Sequence, residues 1–204
     1  MNDGKAAALQ QLRAAVKTAE AAPTRSGSDV PSGVPAVEGQ TEPAGDPYAV
    51  ARAIVLRQLT NSPKTRDQLR QALARRNCPD EVAEPVLDRM EAVGLIDDAA
   101  YAATLVRSRQ EQKGLARRAM RRELRAKGVD DDLVDQALSQ VDDAQERRRA
   151  RELVDKRLNR LHGLDISVQT RRLAGMLARK GYSVEISYPV IRDALADAPE
   201  HRRG

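Results

Sequence analysis

Leu73-Ala74-Arg75-Arg76-Asn77-Cys78, Leu124-Arg125-Ala126-Lys127-Gly128-Val129 and Leu177-Ala178-Arg179-Lys180-Gly181-Tyr182 are three versions of one phrase. In each, a leucine is followed three residues later by a basic side chain and four residues later by Gly or Asn. The leucines stand 51 and 53 residues apart. Four residues before each lies a large apolar side chain (Leu69, Met120, Leu173), and fourteen after each an aliphatic one (Leu87, Leu138, Ile191). Self-similarity at a period near fifty marks a chain built from stacked copies of one supersecondary unit. Function in such chains sits on an extended surface rather than in a single deep pocket.

Each copy divides into three helices. In the first, Tyr48 to Leu59 carries Val50, Ile54, Val55 and Leu59 on its inward side, with Tyr48 at a core position. Thr65 then caps a helix through Arg76, and Pro79-Asp80 opens a third that ends at Gly94. In the second, Asp97 or Asp98 caps a helix through Gln112, with Tyr101, Leu105 and Val106 inward. Leu115 to Lys127 forms the next helix, and Asp130 or Asp131 caps the last, through Leu138. In the third, helices are expected over Asp143 to Leu161, Ile166 to Lys180 and Ser187 to Leu195. The expected fold is therefore all-α, three tandem three-helix repeats with a helix-turn-helix outline, in an elongated, curved array. Its parts are repeat one over 48–97, repeat two over 98–141 and repeat three over 142–196.

Residues 1–47 belong to a different regime. A weak helix is expected over Ala6 to Ala22, and then Pro and Gly alternate from Pro23 to Pro47 with few apolar side chains between them. Such a stretch cannot offset its ordering entropy, so a disordered tail is expected. A flexible end is expected over 197–204. The tail holds four basic and six acidic side chains, which leaves +7 on the remainder of a chain whose net charge is +5. The basic character belongs to the repeats.

Composition excludes several classes. With 32% charged residues, 2% aromatic residues and neither Trp nor Phe, the core must be aliphatic. Mean hydropathy is −0.59. No apolar run approaches the roughly 18 residues of a membrane helix, and no signal-peptide block opens the chain. The single cysteine, Cys78, cannot form an internal disulfide and reads as a free thiol. A cytoplasmic protein is expected. The two histidines, His162 and His201, are far from Cys78, and neither metal-ligand spacing nor a phosphate-binding glycine motif occurs. Asp97-Asp98 and Asp130-Asp131-Asp132 resemble acidic catalytic or magnesium motifs but stand where helices begin, which favours capping. No enzyme activity and no cofactor are expected.

The helix from Leu115 to Lys127 is the sharpest functional feature. About Met120 and Leu124 as the buried stripe, Arg118, Arg122 and Arg125 fall on the opposite side. Arg121 lies adjacent to them, and Arg117 and Lys127 flank the stripe. Glu123 is the only acid among the seven basic residues between Lys113 and Lys127. The third repeat adds Arg171, Arg172, Arg179 and Lys180. A solvated face usually mixes signs, as Glu146-Arg147-Arg148-Arg149-Ala150-Arg151-Glu152 does. A single-sign stripe attracts phosphates or an acidic protein surface. With four tyrosines as the only aromatics, binding of single strands by base stacking is disfavoured. Gln68 and Gln71 give only a nonspecific hint of duplex reading.

Three segments also carry a resemblance. These are Gly94-Leu95-Ile96-Asp97-Asp98-Ala99-Ala100-Tyr101-Ala102, Lys113-Gly114, and Met120-x-x-x-Leu124-x-x-Lys127-Gly128-Val129 continued by Val134-x-x-x-Leu138. They resemble the RecX family of bacterial recombinase regulators, over about residues 48 to 196. Asn61-Ser62-Pro63-Lys64-Thr65 lacks the aromatic often found in that family before the helix cap. The resemblance implies a non-enzymatic protein that binds the RecA recombinase, lying in the groove of its filament on single-stranded DNA, and a monomer is expected. It implies inhibition of filament extension, ATP hydrolysis, strand exchange and the co-protease activity of the SOS response, and the basic stripe leaves room for a weak contact with DNA phosphates. Two other classes remain open on the residues alone. A helix-turn-helix transcription regulator would read a preferred duplex, whereas a plain helical scaffold would bind neither DNA nor recombinase.

Overall fold

The computed structural model of the protein describes residues 46–198. The expected tail helix over Ala6 to Ala22 and His201 lie outside the described residues. Among the described residues the regular structure is nine α-helices with no strand. Repeat one contains α1 (Pro47–Asn61), α2 (Arg66–Ala74) and α3 (Asp80–Ala92). Repeat two contains α4 (Asp98–Lys113), α5 (Arg117–Arg125) and α6 (Asp131–Leu138). Repeat three contains α7 (Asp143–Leu158), α8 (Ile166–Arg179) and α9 (Val184–Asp197).

The repeated phrase is a core anchor joined to a helix stop. Leu73, Leu124 and Leu177 are fully buried, and so are Leu69, Met120 and Leu173 one turn earlier. Leu87, Leu138 and Ile191 of the third helices close the same three cores. Each leucine carbonyl accepts from the amide five residues on: Cys78 at 3.2 Å, Val129 at 3.2 Å and Tyr182 at 3.1 Å. This wrap needs a left-handed residue at the fourth position, supplied by Asn77, Gly128 and Gly181 with φ of 56°, 73° and 89°. The basic residue just before it stands at the negative end of the helix, which a cation complements. A second repeat signal lies on the first helices, where Ala51, Ala102 and Ala150 are buried, each followed four residues later by a buried valine (Val55, Val106, Val154).

Several expectations need correction. Tyr48 and Val50, placed inward from their spacing, are 43% and 53% exposed. They stand at the start of repeat one, against which no other described repeat packs, and α1 buries Ala51, Ile54 and Val55 instead. Helix α7 stops at Leu158 rather than Leu161, and the following turn still buries Leu161. Helix α9 starts at Val184 rather than Ser187, because Ser183 caps it by accepting the Ile186 amide at 3.4 Å. Pro189 is therefore interior, matched by Pro85 in α3. Glu81 and Glu185, whose carbonyls lose a helical partner to these prolines, are both exposed to water.

Consecutive repeats meet end to end through their second helices. Thr65 caps α2 in a capping box with Gln68. Its buried hydroxyl also donates to the carbonyl of Lys127 in the next repeat, at 2.6 Å. Ala116, at the same place before α5, donates its amide to the carbonyl of Lys180 at 2.9 Å. Ala116 packs into the third core rather than the second. Thr65→Ala removes the cap and the inter-repeat bond together and is expected to cost about 1–2 kcal/mol. Thr65→Ser should retain most of that stability, and the shift in urea midpoint between the two variants checks it.

Candidate interaction face on the second helix of repeat two

Helix α5 exists because Met120 and Leu124 bury one stripe, and nearly every other position is charged. Ala116 offers no side-chain cap, so Glu146 of α7 supplies one from the next repeat. Its carboxylate, 7% exposed, accepts the Arg117 amide at 2.5 Å and the Arg117 Nε at 3.3 Å. The mixed-charge run around Glu146 predicts a solvated face, and the fold instead turns this carboxylate onto α5. Arg117 also pairs with Asp143.

The remaining arginines divide into two groups. Arg121 pairs with Asp135 at 2.6 Å, and Arg125 pairs with Asp131 through Nε at 2.6 Å and Nη2 at 3.1 Å. The Arg125 guanidinium holds the Asp131 carboxyl below its ordinary range. Glu123, the lone acid of the helix, is gripped by Arg109 of α4, whose Nε and Nη2 reach it at 2.9 and 2.6 Å. Arg118 and Arg122 are exposed and have no carboxylate partner among the described residues. They line a groove of about 390 Å³ together with Ala178, Gly181, Ser183 and Glu185. An adjoining recess of about 370 Å³ shares Arg118, Gly181 and Ser183 and adds Arg147. A larger groove of about 520 Å³ between α4 and α6 is lined mainly by Ala and Gln, with Arg107 its only charged side chain.

Lys127 is half-buried, and its carbonyl serves the first junction. The Lys180 ammonium bonds the carbonyl of Lys113, and burial pushes its pKa down. The C-terminal carbonyls of α4 also accept from Arg149, at 3.2 Å to Gln110 and 2.8 Å to Glu111. The buried Tyr182 hydroxyl donates to Gly114 at 3.1 Å, and burial pushes its pKa up to about 12. Lys180 thus serves the joint between repeats. Arg171, Arg172 and Arg179 are exposed on α8, which has no acid. None of the three is in the groove's lining.

The Arg109–Glu123 bond pulls Glu123 below its usual pKa of 4.5. A carboxylate depressed by folding adds stability that is present above its ordinary pKa and is lost as pH falls through the lower folded value. Glu123→Gln is therefore expected to cost about 1 kcal/mol at pH 7, the upper end for a pair that water reaches. Urea unfolding of both proteins at pH 7 and again near pH 3 checks this, and the difference should shrink at the lower pH.

Matches to known proteins follow the same divisions. Family models described as the first, second and third three-helix domains of RecX match residues 51–90, 97–138 and 144–191. The chain belongs to the RecX family. The Regulatory protein RecX of Streptomyces coelicolor is 54% identical over 159 residues, covering 78% of this chain and 85% of that protein. The protein of the same name from Thermobifida fusca is 49% identical over 166 residues, covering 78% of this chain and 90% of that one. The crystal structure of RecX from Lactobacillus salivarius superposes with a TM-score of 0.67 at 20% identity, covering 72% of this chain and 96% of that one, and speaks for the fold alone. A second crystal structure, of a regulatory protein RecX, gives 0.66 at 28% identity, over 72% of this chain and 74% of that chain. The protein is thus a member of a regulatory family with an all-helical, three-repeat fold. No helix among the described residues is long and apolar enough to cross a membrane.

Within this RecX-family fold, matching positions separate framework from variation. Where repeat two has Arg118 and Arg122, repeat one has Asp67 and Gln71 and repeat three has Arg171 and Gly175. The pair of guanidiniums one turn apart is peculiar to repeat two. The basic residue before the left-handed turn recurs in all three, as Arg76, Lys127 and Lys180. That recurrence ties Lys127 and Lys180 to helix termination.

Proposed function

We propose that this RecX-family protein binds the RecA recombinase filament on single-stranded DNA through the face carrying Arg118 and Arg122. In doing so it restrains filament extension, ATP hydrolysis, strand exchange and co-protease activity. The observation that carries the reading is the contrast on α5. Arg117, Arg121 and Arg125 are neutralised by carboxylates, while Arg118 and Arg122 keep open charge beside a groove. Guanidiniums held without a partner are ready to form two-pronged bonds with carboxylates or phosphates of a binding partner. Glu185 in the same groove gives it mixed sign, which suits a protein surface better than a bare phosphodiester chain.

The duplex-reading alternative draws less support. A helix-turn-helix regulator reads bases with the first residues of its second helix. Here the starts of α2 and α5 are docked on the following repeat. Gln68 is engaged in the capping box, and Gln71 donates to Asp67 at 2.7 Å. The deciding experiment is RecA's ATP hydrolysis on single-stranded DNA with this protein titrated in below the recombinase concentration. Loss of hydrolysis at substoichiometric protein is expected. Flat hydrolysis up to equimolar protein overturns the reading.

A further inference from the structure

The two joints between repeats share one chemistry. Aligned on the buried alanines Ala51, Ala102 and Ala150, the residue four positions earlier is Pro47, Asp98 and Glu146. Asp98 accepts the Arg66 amide at 2.9 Å, and Glu146 accepts the Arg117 amide at 2.5 Å. Arg66 and Arg117 are the first residues of α2 and α5. In both joints, therefore, a carboxylate from the first helix of one repeat closes the open N-terminal turn of the second helix of the repeat before it. A carboxylate suits that place because it satisfies an orphan amide and complements the positive helix end.

Among the described residues, the chemistry is present only where a neighbouring repeat is there to hold. At the start of the array Pro47 has no carboxylate, and Asn77 stands where Gly128 and Gly181 admit the preceding repeat. At the other end Gln169 stands where Thr65 and Ala116 dock. Its amide donates to Leu161 at 3.1 Å and Leu164 at 3.0 Å, so among the described residues the repeat's own loop fills that place. Neither carboxylate contributes to an apolar core.

We propose that Asp98 and Glu146 are positioning residues: they fix the second helix of each repeat against the next repeat and so set the spacing at which the array meets a partner with repeating sites. The functional half rests on the filament-binding reading above. A multi-site contact depends on spacing, since simultaneous engagement is lost when the sites fall out of register. The second joint is the tighter one. There Arg117 turns its side chain to Glu146 and Asp143 across the joint, while Arg66 turns to Glu84, Asp88 and Glu91 of its own repeat.

The test uses the full chain with Cys78→Ser and pairs of spin labels. Labels at Ser139→Cys and Arg192→Cys span the second joint, and labels at Thr104→Cys and Ser139→Cys stay inside repeat two. Glu146→Ala is expected to broaden the first distance distribution and leave the second and the helical circular dichroism unchanged. Affinity for the RecA filament should fall about tenfold. Glu146→Gln keeps an acceptor for the Arg117 amide and should restore the narrow distribution. If Glu146→Ala unfolds, Asp98→Ala with labels at Arg57→Cys and Ser139→Cys puts the same question to the first joint. Unchanged distributions in a folded variant overturn the proposal, and broadened distributions with undiminished affinity overturn its functional half. A wild-type protein that does not bind the filament would sink the filament reading alone, because the distances are read without any partner.

Discussion

Arg118→Glu with Arg122→Glu is expected to leave the fold intact and to weaken the proposed inhibition of RecA's ATP hydrolysis by about 100-fold or more. The size follows from two hydrogen bonds to charged groups, each worth about 1.5–3 kcal/mol, exchanged for repulsion. The fold should survive because both side chains are exposed and hold no carboxylate among the described residues. Arg121→Glu with Arg125→Glu makes the informative control. It sets new acids against Asp135 and Asp131, so its principal effect should be on the unfolding midpoint. Measuring the inhibition constant and the urea midpoint for both double variants separates the groups. Equal inhibition by wild type and the folded Arg118/Arg122 variant would move the site elsewhere, first to Arg171, Arg172 and Arg179. The salt dependence adds a second axis, because contact with several phosphates steepens it while a few protein carboxylates leave it shallow.

The arginine phrase illustrates what a sequence exposes and what it conceals. Core and helix stop were legible because both are local: Leu124 and Gly128 belong to one turn of chain, and the same turn recurs near Leu73 and Leu177. Whether an arginine is free was not legible. Arg121 and Arg122 are neighbours in sequence, yet Asp135 of α6 reaches only the first. The junction carboxylates were hidden for a related reason. Asp98 and Arg66 are 32 residues apart, Glu146 and Arg117 are 29 apart, and each pair crosses a repeat boundary. A usable signal did exist, a carboxylate four residues before the buried alanine in repeats two and three and missing in repeat one. Tyr48 and Val50 failed for the complementary reason. Helical spacing reports a possible apolar face, and only a neighbour turns that face into an interior one.

Each repeat therefore has two kinds of surface with different tolerance. Positions that recur serve the turn or the joint, as Lys180 does when its ammonium bonds Lys113 and its carbonyl accepts from Ala116. Positions that vary between repeats, such as Asp67, Arg118 and Arg171, are free to specialise. Asp67 shows how far this goes, since it holds Arg70 and Gln71 on its own helix and lies against Gly128 of the next repeat.

Gly181→Ala is expected to be a heavily damaging single-methyl change, at about 3 kcal/mol or more. Two causes add. The left-handed backbone, φ 89°, costs an L side chain about 1–2 kcal/mol. The new Cβ would also stand 2.6 Å from both the amide nitrogen and the Cβ of Ala119, so backbone rather than a flexible side chain must yield. Gly163→Ala isolates the first cause, because Gly163 has φ 78° with nothing within 4 Å of the added carbon, and it should cost only the 1–2 kcal/mol of strain. Gly128→Ala would put its Cβ 2.3 Å from the Cβ of Asp67, which no rotamer change can move, so it should cost at least as much as Gly181→Ala. Urea unfolding of the three variants reads the order directly. Equal costs for Gly181→Ala and Gly163→Ala would mean that α5 slides away at little expense and that the Ala116–Lys180 bond is not a fixed joint. Asn77 supports the expected order from within the chain. With φ 56° it occupies the same left-handed turn, and it can carry a side chain there because no described repeat packs against that end.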